Sequence, residues 1–216
     1  MTTRTLGPAA AALAFLLLFP ACSRVQGPPV SQSRDVEPFQ SIELRGGAQL
    51  DILVGEKQSL VIEADQQGLE ELRTDVRNGR LVIDTQSRFF WLRNGDVKIR
   101  VTTPELRELL VNGAVKGSIS GFAGGATSLS LSGAGDVEAS GKVDSLNALL
   151  NGAGNLHLRH LAATDARVVV NGTGNVDVDV SDRLDATVNG VGNISYQGKP
   201  KVLNTAIHGV GSIGPK

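Results

Sequence analysis

A short motif, usually Asn-Gly followed by a small residue and a second glycine, occurs six times in the second half of the chain. The first glycines of the six copies, separated by 18 to 20 residues, are Gly113, Gly133, Gly152, Gly172, Gly190 and Gly209. Five copies keep the second glycine, at Gly135, Gly154, Gly174, Gly192 and Gly211. A nearly fixed period of this kind indicates a chain built from stacked, equivalent units. A degenerate seventh copy, Arg45-Gly46-Gly47-Ala48, lies upstream.

The residues on either side of each motif alternate between apolar and polar. Around Gly172 the apolar positions are Val168, Val170, Val176 and Val178, and the glycine falls in the same phase. A period of two predicts β-strands with one buried face. A glycine in the buried phase marks a tight bend or a close approach of two backbones. Strand, glycine bend and strand fit either a β-helix or an antiparallel meander with a hairpin at each motif.

The recurrence of the same residues at every bend favours the β-helix. In a solenoid, equivalent positions of successive coils lie directly on one another, about 4.8 Å apart, so like residues stack. A sandwich gives its hairpins no reason to share a sequence. We therefore predict an all-β, right-handed β-helix with rungs of about 19 residues, in which these eleven glycines form the repeat corners.

The segment from residue 39 to residue 103 alternates less regularly. Short runs such as Leu60, Ile62 and Ala64 are separated by turns, and residues 68–76 are predicted as one helical turn or a loop. Solenoids need covered ends, because an exposed terminal rung pairs with other strand edges. We therefore predict that this segment forms a less regular β cap over the N-terminal end of the solenoid.

The first residues of the chain predict export and lipidation. Arg4 precedes a wholly apolar stretch, residues 9–19, which is too short to span a bilayer as a helix and is typical of a secretory signal peptide. Cys22, the only cysteine, follows a Phe-Pro-Ala sequence that resembles a bacterial lipobox. The serine after it, in place of aspartate, favours the outer membrane by the same resemblance. The alternative is an ordinary signal peptide with a coincidental cysteine.

The domain boundaries follow from these features. Residues 1–21 are predicted as the signal peptide, and residues 22–38, rich in Pro, Gly, Ser and Gln, as a lipidated tether or linker. Residues 39–216 are predicted as the β-helical domain. A single cysteine excludes an internal disulfide framework.

Three features together resemble a known family. An opening Phe-Gln-Ser-Ile-Glu-Leu stretch (residues 39–44), an Asn-Gly-Arg-Leu-Val-Ile strand (residues 78–83) and the serial Asn-Gly-Ala-Gly-Asn repeats follow the predicted lipoprotein signal. In this combination the chain is similar to the putative auto-transporter adhesin, head GIN domain family, from Phe39 to the C-terminus. The resemblance implies a β-helical surface or periplasmic domain of a bacterium and suggests adhesion. It supplies no catalytic residues.

No catalytic, metal or cofactor site is predicted. The net charge of −1 without basic clusters argues against a nucleic-acid binder. Each glycine motif leads into a strand rather than a helix, which excludes a phosphate-binding loop. His157 and His160 would point to opposite faces of one strand, so they are a poor pair of metal ligands. No acidic or basic cluster recurs at the rung spacing, as a polysaccharide-cleaving β-helix would require.

Two features are candidates for binding. Polar columns that begin at Asn112 and Lys116 would run along the outside of the solenoid. They form either a ligand platform or, as we favour, turn residues and amide ladders between rungs. Phe89, Phe90 and Trp91 form an aromatic stretch, which is either an exposed binding tip or a cap packed over the core.

The sequence thus predicts a non-catalytic, lipid-anchored module of the bacterial cell envelope that acts in adhesion or in ligand or partner binding. Its predicted contacts are the membrane, through the N-terminal lipid, and a glycan or an envelope protein. The protein would be exported across the inner membrane and anchored by its lipid at the outer membrane, either on the periplasmic face or on the cell surface. Two alternatives stay open: a structural or regulatory periplasmic protein that docks on an envelope partner, and a degenerate carbohydrate-active β-helix enzyme.

Overall fold

The computed structural model describes residues 28–55, 57–85 and 97–216, apart from the side chain of Thr85. The predicted signal peptide, Cys22 and the aromatic stretch at residues 89–91 lie outside these ranges. Within them the first seven strands are β1 (Val30–Ser33), β2 (Ser41–Val54), β3 (Ser59–Ala64), β4 (Leu72–Arg77), β5 (Arg80–Thr85), β6 (Lys98–Thr103) and β7 (Glu108–Ala123). The next seven are β8 (Ala126–Leu131), β9 (Ala134–Leu150), β10 (Ala153–Val170), β11 (Thr173–Val188), β12 (Val191–Gln197), β13 (Val202–Ile207) and β14 (Val210–Pro215). One short helix, α1 (Gln66–Glu71), lies among them.

The strands of the repeat region stack in parallel, coil on coil. β10 pairs in parallel with β9 on one side and with β11 on the other, so that Gly154 lies opposite both Gly135 and Gly174. The same register continues through β12 to β14. The chain therefore folds as a β-solenoid of about five turns, which confirms the predicted fold class and excludes the antiparallel meander.

The core follows the predicted alternation. In β10, Val168 and Val170 are fully buried, while Arg167 between successive inward positions is exposed. Equivalent apolar positions stack across the coils, as in the row Ala148, Val168 and Ala186. The inward side chains of each coil pack on those of the next coil, so the core is continuous along the solenoid axis.

The glycines of the motif lie in two rows at the bend between consecutive strands. A Cβ added to Gly172 would meet the carbonyl oxygen of Gly152 well inside van der Waals contact, with the Gly152 carbonyl carbon at 2.8 Å. The second row adds a backbone requirement, because Gly174 has a φ of +149° and also abuts Gly154. The first row therefore needs glycine for space alone, and the second at Gly174 for space and conformation. The degenerate upstream copy extends the first row, since Gly46 lies opposite Gly113.

The N-terminal end of the solenoid is covered by irregular β-structure, as predicted. β5 and β6 pair in parallel with the two halves of β2, and each has an antiparallel neighbour, β4 for β5 and β3 for β6. Asp65 is the N-cap of α1, and its side chain accepts a hydrogen bond from the Gly68 N–H at 2.7 Å. The rest of residues 68–76 differs from the predicted turn or loop, because β4 begins at Leu72.

The predicted tether over residues 22–38 extends too far. β1 pairs antiparallel with β3, and the Arg34 guanidinium donates to the carbonyl oxygens of Leu72 at 2.7 Å and Leu69 at 2.8 Å. Val36 packs against the core. All four residues of β1 are exposed, and an edge strand held by backbone pairing needs no apolar residues. The composition of this strand therefore resembles that of a linker. Within the described ranges, no helix is long and apolar enough to cross a membrane.

Candidate functional site

An open groove of about 770 Å³ crosses the outer face of three consecutive coils, formed by β9, β10 and β11. We call it the β9–β11 groove. Its floor is a row of outward-facing apolar side chains, Leu149 and Val169, which are opposite each other in the ladder and half-buried. Because successive outward residues of a strand are about 6.6 Å apart, the rows on either side of this floor are roughly 13 Å from each other. The groove is thus wide enough for an extended ligand that runs along the solenoid axis.

One side of the groove is charged. Asn147, Arg167 and Asp185 are in register across the three coils. Asp185 accepts from Arg183 Nε at 2.9 Å and from Asn204 Nδ2 at 2.6 Å. The hydrogen bond from Arg183 is the main reason that the pKa of Asp185 lies below its usual range, with the Asn204 bond as a second cause. Asp185 is therefore a fixed, ionised acceptor.

Arg167 differs from its neighbours in this row. It is exposed, and its charge is one of the lesser causes that lower the pKa of Asp185, but among the described residues it forms no hydrogen bond or salt bridge. It lies in register between Asn147 and Asp185, on the side of the groove floor. A guanidinium has five donors in a planar fork. Arg167 is therefore the side chain of the groove best placed to donate to a bound ligand.

The other side of the groove is an amide ladder. Asn171 Nδ2 donates to Asn151 Oδ1 at 2.7 Å, and Asn189 Nδ2 donates to Asn171 Oδ1 at 2.7 Å. The ladder extends to Ser132 at one end and His208 at the other. A second ladder follows the polar column that begins at Lys116, and it runs through Asp136, Asn155, Asn175, Asn193 and Ser212. The hydrogen bonds thus give the polar columns the structural role that we favoured, and they also hold the Asn171 and Asn189 side chains in fixed orientations beside the groove.

A smaller groove of about 370 Å³ lies on the same outer face, nearer the N-terminal cap, and is lined by Arg45, Arg77 and Arg80 around Glu43. Glu43 is only 6% exposed. The Glu43 carboxylate accepts hydrogen bonds from Arg45 Nε at 2.6 Å and from Asn112 Nδ2 at 3.2 Å. The Arg45 hydrogen bond is the main cause of a pKa below the usual range for Glu43, against the opposing effect of burial.

This network has a structural role. Arg80, which approaches Glu43 to 3.9 Å, also donates to Glu108 at 2.5 Å. The Glu43 carboxylate therefore joins the cap strand β5, which carries Arg80, to the first coils of the solenoid. The arginines of this groove are already paired with carboxylates, unlike Arg167 in the β9–β11 groove.

The structure assigns the sequence-predicted residues to different places. The eleven corner glycines are brought together in the two bend rows and line neither the β9–β11 groove nor the smaller groove. His157 Nδ1 lies 3.6 Å from Asp177, and a register shift separates His157 from His160. No group of His, Cys, Asp and Glu in the described ranges could hold a metal ion. The predicted lipidation site and aromatic stretch, Cys22 and Phe89 to Trp91, lie outside those ranges.

The β9–β11 groove is absent from the sequence-based candidates, although the sequence contains a signal for it. Both floor residues interrupt the alternation, since Ala148-Leu149-Leu150 and Val168-Val169-Val170 are runs of three apolar residues. In a strand with one buried face, the middle residue of such a run must point outward. Two such residues one rung apart predict an apolar strip on the outside of the solenoid.

Comparison with known proteins identifies both family and fold. The sequence profile of the family described as “putative auto-transporter adhesin, head GIN domain” matches residues 38–200. A putative adhesin from Bacteroides fragilis NCTC 9343 is 20% identical, with 87% of this chain and 97% of that chain covered and a TM-score of 0.61, which indicates the same fold. A putative lipid binding protein from Parabacteroides distasonis ATCC 8503 is 21% identical, covering 88% and 97%, with a TM-score of 0.44. No curated protein gives a significant match.

Proposed function

The chain belongs to the putative auto-transporter adhesin, head GIN domain family. From that premise we propose that it is a non-catalytic, lipid-anchored binding module of the bacterial cell envelope, and that it holds a glycan in the β9–β11 groove. The observation that carries the proposal is the groove itself, an apolar floor between two hydrogen-bonding rows on the outer face of consecutive coils. The adhesin description of the family supports a role in attachment without catalysis.

The chemistry of the groove suits a sugar chain. A pyranose ring has an apolar C–H face that packs on a surface such as Leu149 and Val169, and its hydroxyls both donate and accept. Around the floor, Asp185 accepts, Arg167 donates, and the amide of Asn171 can do both. Binding sites of this type combine an apolar surface with a few fixed polar groups. Because the ladder already orients Asn171, little side-chain entropy is lost there on binding.

The proposed attachment to the membrane rests on Cys22. Two or more acyl chains give stable anchoring, since each buried methylene contributes about 0.8 kcal/mol. A tether from Cys22 to the first described strand at Val30 would hold the solenoid outside the lipid surface. The outer face of the coils would then be free to meet a ligand.

A glycan array probed with purified Cys22→Ser protein tests the ligand class, because this change removes the proposed lipid and leaves the described residues intact. We expect Arg167→Ala to weaken binding of a retained glycan about tenfold or more, since a hydrogen bond from a charged donor contributes about 1.5–3 kcal/mol. Arg159→Ala is the matched control, an exposed arginine on the same strand outside the groove. Binding that is equal in both variants, or an array without any retained glycan, would contradict the proposal and favour an envelope protein as the partner.

A further inference from the structure

The two grooves of the outer face lie along one column of outward side chains. This column is in register from β5 to β10, and its members are Val82, Glu43, Leu110, Ser130, Leu149 and Val169. The first two line the smaller groove, and the last two form the floor of the β9–β11 groove. Between them in the column are Leu110 and Ser130, which are both half-buried. The column therefore joins one groove to the other.

The side chains between the grooves leave this path open. Ser128 and Ser130 are the outward residues of β8, and Ser132 follows the strand. Ser128 Oγ accepts a hydrogen bond from Asn147 Nδ2 at 3.1 Å, so its hydroxyl hydrogen can still donate to a ligand. In β7 the column residue is Leu110, an apolar side chain like those of the β9–β11 floor. A ligand that leaves the β9–β11 groove toward the cap would thus cross small hydroxyls and one apolar side chain.

The length of the path requires an extended ligand. Neighbouring strands of a sheet are about 4.8 Å apart, so the six steps from β5 to β11 make a path about 29 Å long. A disaccharide would occupy only one of the two grooves, whereas a linear octasaccharide would reach both. The length of a bound sugar chain therefore decides whether the smaller groove takes part in binding.

The smaller groove has arginine donors that its own ion pairs do not use. Arg45 donates to Glu43 through Nε at 2.6 Å, and Arg77 donates through Nε at 2.7 Å to Asp75. Within the described ranges, the terminal nitrogens of these two arginines make no hydrogen bond, and the buried Arg80 Nε has no partner. A guanidinium has a planar fork of donors that matches the two oxygens of a carboxylate. The groove can therefore hold a further carboxylate while the existing pairs stay intact.

The charges that face solvent in the smaller groove are mainly positive. Its arginines Arg45, Arg77 and Arg80 have side chains that are 49%, 77% and 40% exposed. Of the described residues in its lining, only Glu43 is acidic, and its side chain is 8% exposed. The other carboxylates near these arginines lie outside the lining; they are Asp75, Asp84 and Glu108. An anionic group of a ligand would thus meet three guanidinium groups above one shielded carboxylate.

We propose that the ligand is a linear acidic polysaccharide that lies along the whole column, with a uronic-acid carboxylate on the arginines of the smaller groove. This proposal rests on the glycan-binding function proposed above and adds the length and the charge of the ligand. The described lining of the β9–β11 groove contains two arginines and two aspartates, so its charges balance and suit ring faces and hydroxyls. The excess of positive charge lies in the smaller groove, which is where the acidic group would bind.

Binding of matched oligosaccharides to the Cys22→Ser protein tests length and charge separately. The probes are disaccharides and octasaccharides of uronic acids, each compared with its carboxyl-reduced form, which has the same linkage and length but no charge. We expect an acidic octasaccharide to bind about tenfold or more tightly than its carboxyl-reduced form and than the acidic disaccharide, because each comparison removes the charged hydrogen bonds of the smaller groove. Surface plasmon resonance measures the dissociation constants.

The outcomes separate this proposal from the function on which it rests. Affinity that does not rise with chain length, affinity that does not fall on carboxyl reduction, or a glycan array that retains neutral glycans alone would overturn the acidic polysaccharide and leave glycan binding intact. A protein that binds no glycan, on the array or among these probes, would contradict the proposed function itself, and this proposal with it.

Two arginines of β4 provide a matched pair of variants. Arg77→Ala removes a donor from the smaller groove, and Arg73→Ala removes an exposed arginine of the same strand that lies outside the lining. We expect Arg77→Ala to weaken binding of the acidic octasaccharide about tenfold more than binding of its carboxyl-reduced form. Arg73→Ala should change neither. Equal effects of the two variants on the acidic octasaccharide would overturn the placement of its carboxylate in the smaller groove.

Discussion

Replacing Gly172 by alanine tests whether contact between coils requires glycine at the bends. A Cβ at this position would overlap the carbonyl oxygen of Gly152 and lie 2.8 Å from its carbon. The φ angle of Gly172 lies outside the left-handed region, so the backbone conformation itself accepts alanine. The obstacle is main chain, which no rotation of a side chain can move. The two coils must therefore separate locally to admit a single methyl group.

The expected cost has two parts. Forcing extra volume into a packed site costs about 1–3 kcal/mol. The obstructed oxygen of Gly152 also accepts the Thr173 N–H at 2.8 Å, and weakening that bond costs about another 1 kcal/mol. We therefore expect Gly172→Ala to lower the free energy of unfolding by about 2–4 kcal/mol.

The same substitution at Gly117 is the matched control and should have the opposite sign. Gly117 has an inward phase in β7, and a Cβ there would lie 3.5 Å from Val137 Cγ2, an ordinary van der Waals contact. Gly117→Ala should be stabilising by about 0.4–1 kcal/mol, because alanine restricts the unfolded chain. Thr173→Val controls for location, since it is exposed and Val191 occupies the equivalent position of the next coil. We expect it to be neutral within about 0.5 kcal/mol.

Urea denaturation followed by far-ultraviolet circular dichroism measures all three variants. If the backbones meet at the bend, the free energy of unfolding falls strongly for Gly172→Ala, stays the same for Thr173→Val, and rises or stays the same for Gly117→Ala. If Gly172→Ala unfolds at the same urea concentration as wild type, the coils have room at the bend. If Gly117→Ala is destabilised as much as Gly172→Ala, glycine is needed for a reason other than contact between backbones.

Three further predictions concern ionisation, anchoring and the aromatic stretch. Glu43→Gln should lower the free energy of unfolding at neutral pH by about 1–3 kcal/mol. The difference from wild type should disappear as the pH falls from 4.5 through the lowered pKa of the folded carboxyl, because the unfolded state then binds the proton more readily. A difference that urea melts show to be independent of pH would exclude the ionised network. Cys22→Ser should release the protein from the membrane fraction, and a variant that still sediments with membranes would refute lipidation. Phe90→Ser combined with Trp91→Ser should lower the melting temperature strongly, since losing a cap aromatic costs about 3–5 kcal/mol; an unchanged melt with lost binding would indicate an exposed tip.

The solenoid and its inward phase could be predicted because stacking imposes the same constraint on every coil. Gly152 and Gly172 each meet the backbone of the coil before, so the sequence repeats glycine at this position. Val168 and Val170 are buried, and so are the residues at the equivalent positions of the neighbouring strands, because each coil covers the next. A constraint that recurs at a fixed period appears in the sequence as a repeat. A contact that occurs only once leaves no such pattern.

The cap was predicted only in outline because each of its contacts occurs once. β1 is an exposed edge strand, and its composition of Val, Ser and Gln does not differ from that of a linker. The contacts that place it are long-range, such as those of Arg34 with Leu69 and Leu72. β4 likewise forms because β5 is beside it, and its own alternation is weak. Neither pairing could be derived from local propensity.

The β9–β11 groove lies where stacking constrains the sequence least. Outward positions are not fixed by the core, so an exposed apolar residue at one of them needs no special explanation when it occurs alone. Leu149 and Val169 occur in register, between a row that contains Arg167 and a row of amides held by the ladder. The hydrogen bonds that stabilise successive coils therefore also orient Asn171 before any ligand arrives. In a solenoid of this kind, the repeated structural contact orients the side chains of the proposed binding surface, and the few residues that depart from the repeat would determine which ligand it accepts.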